Sequence, residues 1–154
     1  MSTIEQRLAE LGIVLPEPPP PVAKYIPAVT TGNLVYTSGA DCRIDGTLMY
    51  RGKLGDEITM EMGQAAARQT ALNLLAILRQ HLGDLDRIER MVKMLGFVNS
   101  APGFNEQPAV INGASELFID VFGECGRHAR SAVGTNELPF DTPVEIELIV
   151  AFRV

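Results

Sequence analysis

Two charged residues near the end of the sequence, Arg130 and Glu145, have side chains that could do chemistry. A guanidinium held in place can grip a carboxylate through two parallel hydrogen bonds. A carboxylate on a strand can orient a water molecule and relay protons. Each of the two residues could instead have a purely structural role. Arg130 could pair with an acidic neighbour at a strand start, and Glu145 could be an exposed strand residue or the partner of Arg130.

The segment that must position Glu145 reads as an amphipathic strand. Apolar residues at positions 144, 146 and 148 alternate with Glu145 and Glu147, so the apolar side chains share one face and the carboxylates the other. Another strand begins at Arg130-Ser131, and a Leu138-Pro139 turn separates the two. The sequence therefore predicts that two neighbouring strands carry the candidate residues.

Hydrophobic periodicity and turn residues predict the remaining elements. In order, they are a short helix from Ser2-Thr3 to Gly12, strands over 26–31 and 34–38, an irregular loop or hairpin over 41–55, a long helix capped by Asp56 or Thr59 and ending near Gly83, a strand over 88–98, and a helix over 106–122. Together with the two C-terminal strands, this order predicts an α+β sandwich, with one mixed sheet and two helices on one face. A sheet face that no helix covers needs a partner, so self-association is expected.

Three groups of residues, taken together in their order and spacing, resemble the RidA/YjgF family, also described as endoribonuclease L-PSP. They are Tyr25 with Gly32 to Gly39 (GNLVYTSG), Ala66 to Leu75 with Val92 to Val98, and Arg130-Ser131, Leu138-Pro139 and Glu145-Ile146-Glu147 at the C-terminus. The resemblance covers residues 22–154 and leaves residues 1–21 as an N-terminal helix and proline-rich arm. It implies the chorismate mutase-like sandwich and a homotrimer with clefts between neighbouring chains.

The resemblance also implies roles for individual residues. Arg130 matches the family's carboxylate-binding arginine and Glu145 its water-holding glutamate, while Glu147 matches a second acidic position that is more plausibly structural. The implied substrate-binding residues are Tyr25 in the pocket wall, Ser38 and Gly39 in a turn that contacts substrate, and Asn112 on the second helix, which closes the cleft. A hydrophobic plug at a strand start is the alternative for Tyr25. No metal and no cofactor is implied.

Departures from the family pattern indicate a divergent branch. Ala40 stands where the family often has glutamine, and Ala132 stands where it often has cysteine, so no mechanism can rely on that thiol here. Both changes reshape the pocket. The loop over 41–55 is longer than in typical members and carries Arg43 and Arg51, which could cover the pocket.

The activity that the resemblance implies is hydrolysis of reactive enamines or imines of the 2-aminoacrylate type to 2-keto acids and ammonia. The alternative is a module that binds or senses a keto acid or another small carboxylate without turnover. A ribonuclease or translation inhibitor, an activity attributed to some members, is disfavoured by the net charge of -6 and the absence of paired histidines. Phosphate backbones are bound mostly by Lys and Arg, so nucleic acid is not an expected partner.

Composition sets further expectations. The length of 154 residues fits one domain, and no signal peptide or membrane-length apolar run is evident, which predicts a cytoplasmic protein without a membrane partner. Cys42 and Cys125 lie far apart in sequence and are expected to be free thiols. His81 is expected at the surface, and Arg127 with His128 in a solvated loop. The proline run 16–21 is interpreted as a stiff spacer, in which case removal of residues 1–20 would leave the trimer intact.

Overall fold

Seven strands and three α-helices make up the part of the chain that the computed structural model describes, residues 3–21 and 23–154. In chain order they are α1 (Thr3–Glu10), β1 (Ala28–Thr31), β2 (Leu34–Thr37), β3 (Arg43–Ile44), β4 (Thr47–Leu48), α2 (Met60–Leu82), β5 (Ile88–Asn99), α3 (Gln107–Phe122), β6 (Ala129–Thr135) and β7 (Val144–Phe152). Every element predicted from the sequence is present within a few residues of its expected bounds. Ser2, predicted to open the first helix, lies outside the described residues.

Five strands form one mixed sheet in the order β1-β2-β7-β5-β6. The β5–β6 pair is parallel and the other pairs are antiparallel. Strands β3 and β4 form a separate small hairpin around the Asp45-Gly46 turn. Helices α2 and α3 pack on each other and on one face of the large sheet. The predicted α+β sandwich with a mixed sheet and two helices on one face is confirmed.

Local signals fix the ends of α2 and its distance from α3. The Thr59 hydroxyl accepts a hydrogen bond from the Met62 N–H at 3.2 Å, and Gly83 ends the helix with a left-handed φ of 83°. The two helices are in close contact at Gly113, where an added Cβ would lie 2.2 Å from the backbone oxygen of Gln64. Since backbone cannot move aside as a side chain can, this contact requires glycine.

The second face of the sheet carries exposed apolar residues together with two carboxylates. Val29, Tyr36 and Val133 on this face are 50%, 44% and 43% exposed. Glu145 and Glu147 point to the same side, because they alternate along β7 with residues buried under the helices. Exposed apolar surface on a sheet is usually covered in proteins.

The two cysteines and His81 lie in the environments predicted from the sequence. Cys42 is buried and Cys125 exposed, and both are free thiols. His81 is exposed, with its Nε2 2.7 Å from the Thr30 hydroxyl. No helix among residues 3–21 and 23–154 combines the length and the apolar character needed to cross a membrane.

The N-terminal helix is packed into the domain. Leu8 and Leu15 are only 4% and 8% exposed and belong to the main hydrophobic core. The backbone N–H groups of Thr3 and Ile4 each donate to the Asp86 carboxylate at 2.8 Å, which satisfies free donors at the start of α1. The spacer interpretation therefore applies at most to the proline run, and not to the helix before it. The boundary between residues 21 and 22 remains a prediction.

Deletion of residues 1–20 is expected to destabilise the fold, contrary to the spacer prediction. Exposing the sites of two buried leucines should lower the free energy of unfolding by about 3 kcal/mol or more, at ~1.5–3 kcal/mol for each side chain. Chemical denaturation of the truncated chain measures the loss. The point variants Leu8→Ala and Leu15→Ala should each reproduce part of it, whereas Val14→Ala, at a residue 90% exposed, should change stability little. A truncated chain as stable as the full one would restore the spacer interpretation.

Candidate active site

A cavity of about 470 Å³ opens beside the C-terminal end of β2. Four of the residues singled out from the sequence line it together: Tyr25, Ser38, Gly39 and Glu145. Four others complete the wall: Ala23, Asp41, Pro139 and Phe140. A pocket of this size and mixed lining is typical of a small-molecule site.

Glu145 enters the cavity from the uncovered face of β7, directly beside Gly39. A Cβ added at Gly39 would lie 2.9 Å from the Glu145 carboxyl carbon and from Oε2. Glycine is therefore required for the carboxylate to keep its place against the backbone. The predicted contact of Gly39 with substrate stays a prediction.

Ser38 holds the segment that carries Tyr25. Its hydroxyl donates to the Ile26 carbonyl at 2.7 Å and its N–H donates to the Pro27 carbonyl at 2.8 Å. Both donors of Ser38 are thus engaged within the chain, so its part in the site is to fix the wall. Tyr25 is 41% exposed, which is not the environment of a buried plug.

The carboxyl group of Glu145 lies in an environment that disfavours its charge. Partial burial raises the pKa of Glu145 above its ordinary value, and the negative charges of Asp41 and Glu147 raise it further. Asp41 is itself ion-paired with Arg43, with 3.1 Å between Oδ2 and Nε. A carboxylate whose pKa moves toward neutral pH is better suited to exchange protons with water.

Arg130 is held against α3 by neutral acceptors. Its Nη1 donates to Asn112 Oδ1 at 2.8 Å and to the Ser115 hydroxyl at 3.1 Å, and its Nη2 donates to the Pro108 carbonyl at 3.4 Å. Within residues 3–21 and 23–154, none of its ion-pair or hydrogen-bond partners is a carboxylate. The guanidinium is therefore positioned yet still lacks a counter-charge, as an anion-binding group should be.

A chain of hydrogen bonds behind Arg130 supports this position. His128 Nδ1 lies 2.7 Å from the Gly126 carbonyl, which assigns the proton to Nδ1 and leaves Nε2 to accept from the Ser115 hydroxyl at 2.9 Å. Burial lowers the pKa of His128, and the positive charge of Arg130 lowers it further, against the opposing effect of the Gly126 carbonyl. The prediction of a solvated loop is therefore wrong for His128, although Arg127 is exposed.

Within one chain, Arg130 and Glu145 face opposite sides of the sheet. Arg130 is in register with Met94 and Leu148, whose side chains are buried under the helices. Glu145 is in register with Phe97, three positions further along β5, and an odd offset reverses the face. The structure thus brings together two separate groups, Arg130 with Asn112 and Glu145 with Tyr25. The alternative that Arg130 and Glu145 pair within the chain is wrong.

Several residues of the two groups were not singled out from the sequence, among them Asp41, Phe140 and Ser115. Asp41 follows Gly39 by two residues, and Phe140 follows the Leu138-Pro139 turn directly. Ser115 lies three residues after Asn112, so the two share one face of α3. The Ser115 position was readable from helix spacing, whereas nothing in the sequence indicates that Phe140 turns toward the pocket.

Comparison with known proteins places these features in a family. A family model for YjgF/chorismate mutase-like proteins, with an endoribonuclease description, matches residues 5–151. Protein TCP17 of Trypanosoma cruzi is 45% identical over 148 residues, covering 96% of this chain and 92% of that protein. A 2-iminobutanoate/2-iminopropanoate deaminase of Dermatophagoides farinae is 32% identical, covering 92% of this chain and 95% of that protein. A crystal structure of a protein of unknown function from Agrobacterium tumefaciens is 46% identical with a TM-score of 0.91, covering 97% of this chain and 92% of that one.

Proposed function

The chain belongs to the YjgF/chorismate mutase-like (RidA) family, and from this premise we propose that it hydrolyses reactive 2-imino or 2-enamino acids to 2-keto acids and ammonia. The observation that carries the proposal is the Arg130 guanidinium, fixed by three neutral acceptors and left without a described carboxylate partner. Such a group suits the carboxylate that all these substrates share. The deaminase relative, 32% identical over 142 residues, supports the reaction type.

Glu145 is the proposed water-handling group. Its carboxylate would accept a proton from water while the water oxygen bonds to the imine carbon, and that proton would pass to the imine nitrogen. Glu145 would then relay the hydroxyl proton of the tetrahedral adduct to its amino nitrogen. As the carbon–oxygen double bond of the keto group forms, the C–N bond would break and ammonia would leave. The partly buried position of Glu145, which raises its pKa, favours both proton transfers near neutral pH.

A complete site in this proposal needs more than one chain. Arg130 and Glu145 face opposite sides of one sheet, so one chain alone does not direct both at one substrate. We propose a homotrimer in which the uncovered sheet faces associate and each cleft joins the Glu145 pocket of one protomer to Arg130 of its neighbour. The exposed apolar residues of that face, Val29, Tyr36 and Val133, supply a reason for association.

A mixing experiment tests the shared site. Arg130→Ala and Glu145→Gln should each be nearly inactive alone, since every cleft lacks one group. When the two variants are dissociated together and reassembled, about a quarter of the clefts should combine an intact Arg130 with an intact Glu145, as follows from random assembly of a ring. Imine hydrolysis should recover to that fraction of the wild-type rate. Light scattering should give three times the chain mass of 16.7 kDa.

The control mixture combines Arg130→Ala with the double variant Arg130→Ala/Glu145→Gln. No chain in this mixture has an intact Arg130, so no cleft can be complete. If the first mixture recovers no more activity than this control, the two residues do not meet between chains and the proposed site is wrong. A stable monomer at micromolar concentration would contradict the proposed assembly directly.

A non-catalytic role in binding keto acids or other small carboxylates is the second candidate. It is favoured by one observation: the Arg130 group is assembled within a single chain and needs no water-handling residue in order to hold an anion. Wild-type protein that binds 2-keto acids but does not accelerate imine hydrolysis above the spontaneous rate would establish this role instead.

A further inference from the structure

Phe140 adopts a backbone conformation that few non-glycine residues tolerate. Its φ is 60° and its ψ is 14°, and Asp141 follows with a φ of 61°. Left-handed conformations at non-glycine residues cost on the order of 1–3 kcal/mol each and persist only where surrounding contacts enforce them. The ring is 52% exposed, so burial of the side chain does not account for the strain.

The contacts that enforce this conformation come from the long loop over 41–55. Arg51 Nη1 donates to the Phe140 carbonyl at 2.9 Å, and the Gly52 N–H donates to the Asp141 carbonyl at 2.8 Å. The two strained residues are thus tied to the loop through both of their carbonyl groups. The loop over 41–55 therefore holds the backbone of Phe140.

The ring itself is held from the same loop. The guanidinium carbon of Arg43 lies 4.8 Å from the ring centroid of Phe140, within the range of a cation–π contact. Arg43 is in turn fixed by Asp41, at 3.1 Å, and Asp41 lines the cavity beside Glu145. Backbone and ring together make Phe140 a preorganised aromatic wall of the pocket.

The lining of the cavity shows what such a wall could contact. Phe140, Tyr25, Pro139 and Ala23 contribute apolar surface, and Glu145 brings the proposed water-handling carboxylate to the same cavity. The volume of about 470 Å³ falls in the range of roughly 300–1,000 Å³ that holds drug-sized ligands. A three-carbon imino acid would leave much of this space, and the whole aromatic wall, without contact.

We propose that Phe140 is a specificity-determining residue and that the preferred substrates are 2-imino acids with an aromatic or bulky apolar side chain, which packs against its ring. This inference rests on the proposed function, because it assumes that the cavity holds the substrate of that reaction. Aromatic pairs favour stacked or edge-to-face packing and add binding free energy beyond that from buried area. The loop over 41–55 then sets the substrate preference through its hold on Phe140.

Calorimetry on the assembled wild-type protein, with phenylpyruvate and pyruvate as probes, tests the preference. Burial of an aromatic side chain should make phenylpyruvate bind roughly ten- to a hundredfold more tightly than pyruvate. Phe140→Ala should remove most of this difference while changing pyruvate affinity by no more than a few fold. Phe140→Gly is the matched variant that also relaxes the backbone, because glycine adopts a left-handed φ without strain. It should fold at least as stably as the wild type and lose the preference equally.

Equal affinity for the two acids in the wild type, failure of phenylpyruvate to bind, or a preference that survives in Phe140→Gly would overturn the proposal. Hydrolysis rates distinguish a failure of this specificity proposal from a failure of the proposed function. If imines prepared from phenylalanine and from alanine are hydrolysed equally well, the specificity inference fails and the reaction stands. If phenylpyruvate binds with the Phe140-dependent preference but no imine is hydrolysed, the role of Phe140 in ligand preference is supported and the proposed hydrolysis is wrong.

Discussion

Arg130→Ala and Arg130→Lys should both weaken binding of a 2-keto acid by roughly tenfold to over a hundredfold. A charge-assisted hydrogen-bonded contact contributes on the order of 1.5–3 kcal/mol, and about 1.4 kcal/mol corresponds to a factor of ten in affinity. Lysine keeps the charge but cannot reproduce the planar fork that binds both carboxylate oxygens. Nor can it make the three hydrogen bonds that fix the guanidinium against α3. Isothermal titration calorimetry on the assembled protein measures both losses.

Arg127→Ala is the matched control for this prediction. Arg127 lies three residues before Arg130 and carries the same charge, but it is exposed and paired with Glu124 at 3.1 Å. Its removal should leave keto-acid affinity within about twofold, since exposed ion pairs contribute little. Equal losses from Arg127→Ala and Arg130→Ala would point to a diffuse charge effect and not to a specific carboxylate contact.

Glu145→Gln should lower imine hydrolysis by roughly a hundredfold, the low end of the contribution of general acid–base catalysis. The amide keeps the shape of the side chain and most of its hydrogen bonds but cannot take a proton from water. Affinity for a 2-keto acid should stay within a few fold, because Arg130 holds the carboxylate. Assays on freshly generated 2-aminoacrylate and on imines of larger amino acids measure the rate.

The isosteric control is Glu147→Gln, two residues along the same strand and on the same face. It removes the same charge from that face, and with it one of the charges that raise the Glu145 pKa, but it lies outside the cavity lining, so hydrolysis should fall far less than in Glu145→Gln. A wild-type rate in Glu145→Gln would show that Glu145 does not handle the water. An equal loss in both variants would show that the charge of the face matters, and not the chemistry of Glu145.

The same Glu145→Gln variant should gain stability at neutral pH. Because burial and the charges of Asp41 and Glu147 raise the pKa of Glu145 in the folded protein, folding favours its neutral form. The stability that comes from the neutral carboxyl is fully present below the unfolded-state pKa and is lost as pH rises through the folded-state pKa. The difference between variant and wild type should therefore be small in acid and grow toward neutral pH. Melting temperatures of both proteins, measured from acid to neutral pH, test this. A difference that does not grow with pH would contradict the prediction.

The fold could be predicted from the sequence because its signals are local. Alternation at residues 144–148 identifies β7, and Thr59 and Gly83 mark the two ends of α2. The same alternation correctly directs Glu145 away from the helices. The proline run 16–21 predicts a spacer and gives no sign that the preceding residues Leu8 and Leu15 are buried in the core, because that burial depends on tertiary contacts.

The site was harder to predict, because its arrangement depends on register. Whether Arg130 shares a face with Glu145 follows from the pairing of β6 and β7 with β5 between them, and no single strand records that pairing. The left-handed conformation of Phe140 likewise has no local signal, since it is imposed by Arg51 and Gly52 from far away in sequence. The hydrogen bond between Ser115 and His128 also joins two separate elements.

The close contact of α3 with α2 at Gly113 limits how descendants of this sequence can diversify. Any side chain there would meet the backbone of Gln64, and Gly96 below is similarly confined by Ile111, 2.8 Å from an added Cβ. Substitutions in this layer therefore cost stability, while exposed positions such as Phe140 and Ile44 accept change at less cost to the fold. A change of substrate preference would therefore cost the fold least if it arose in the loops around the cavity.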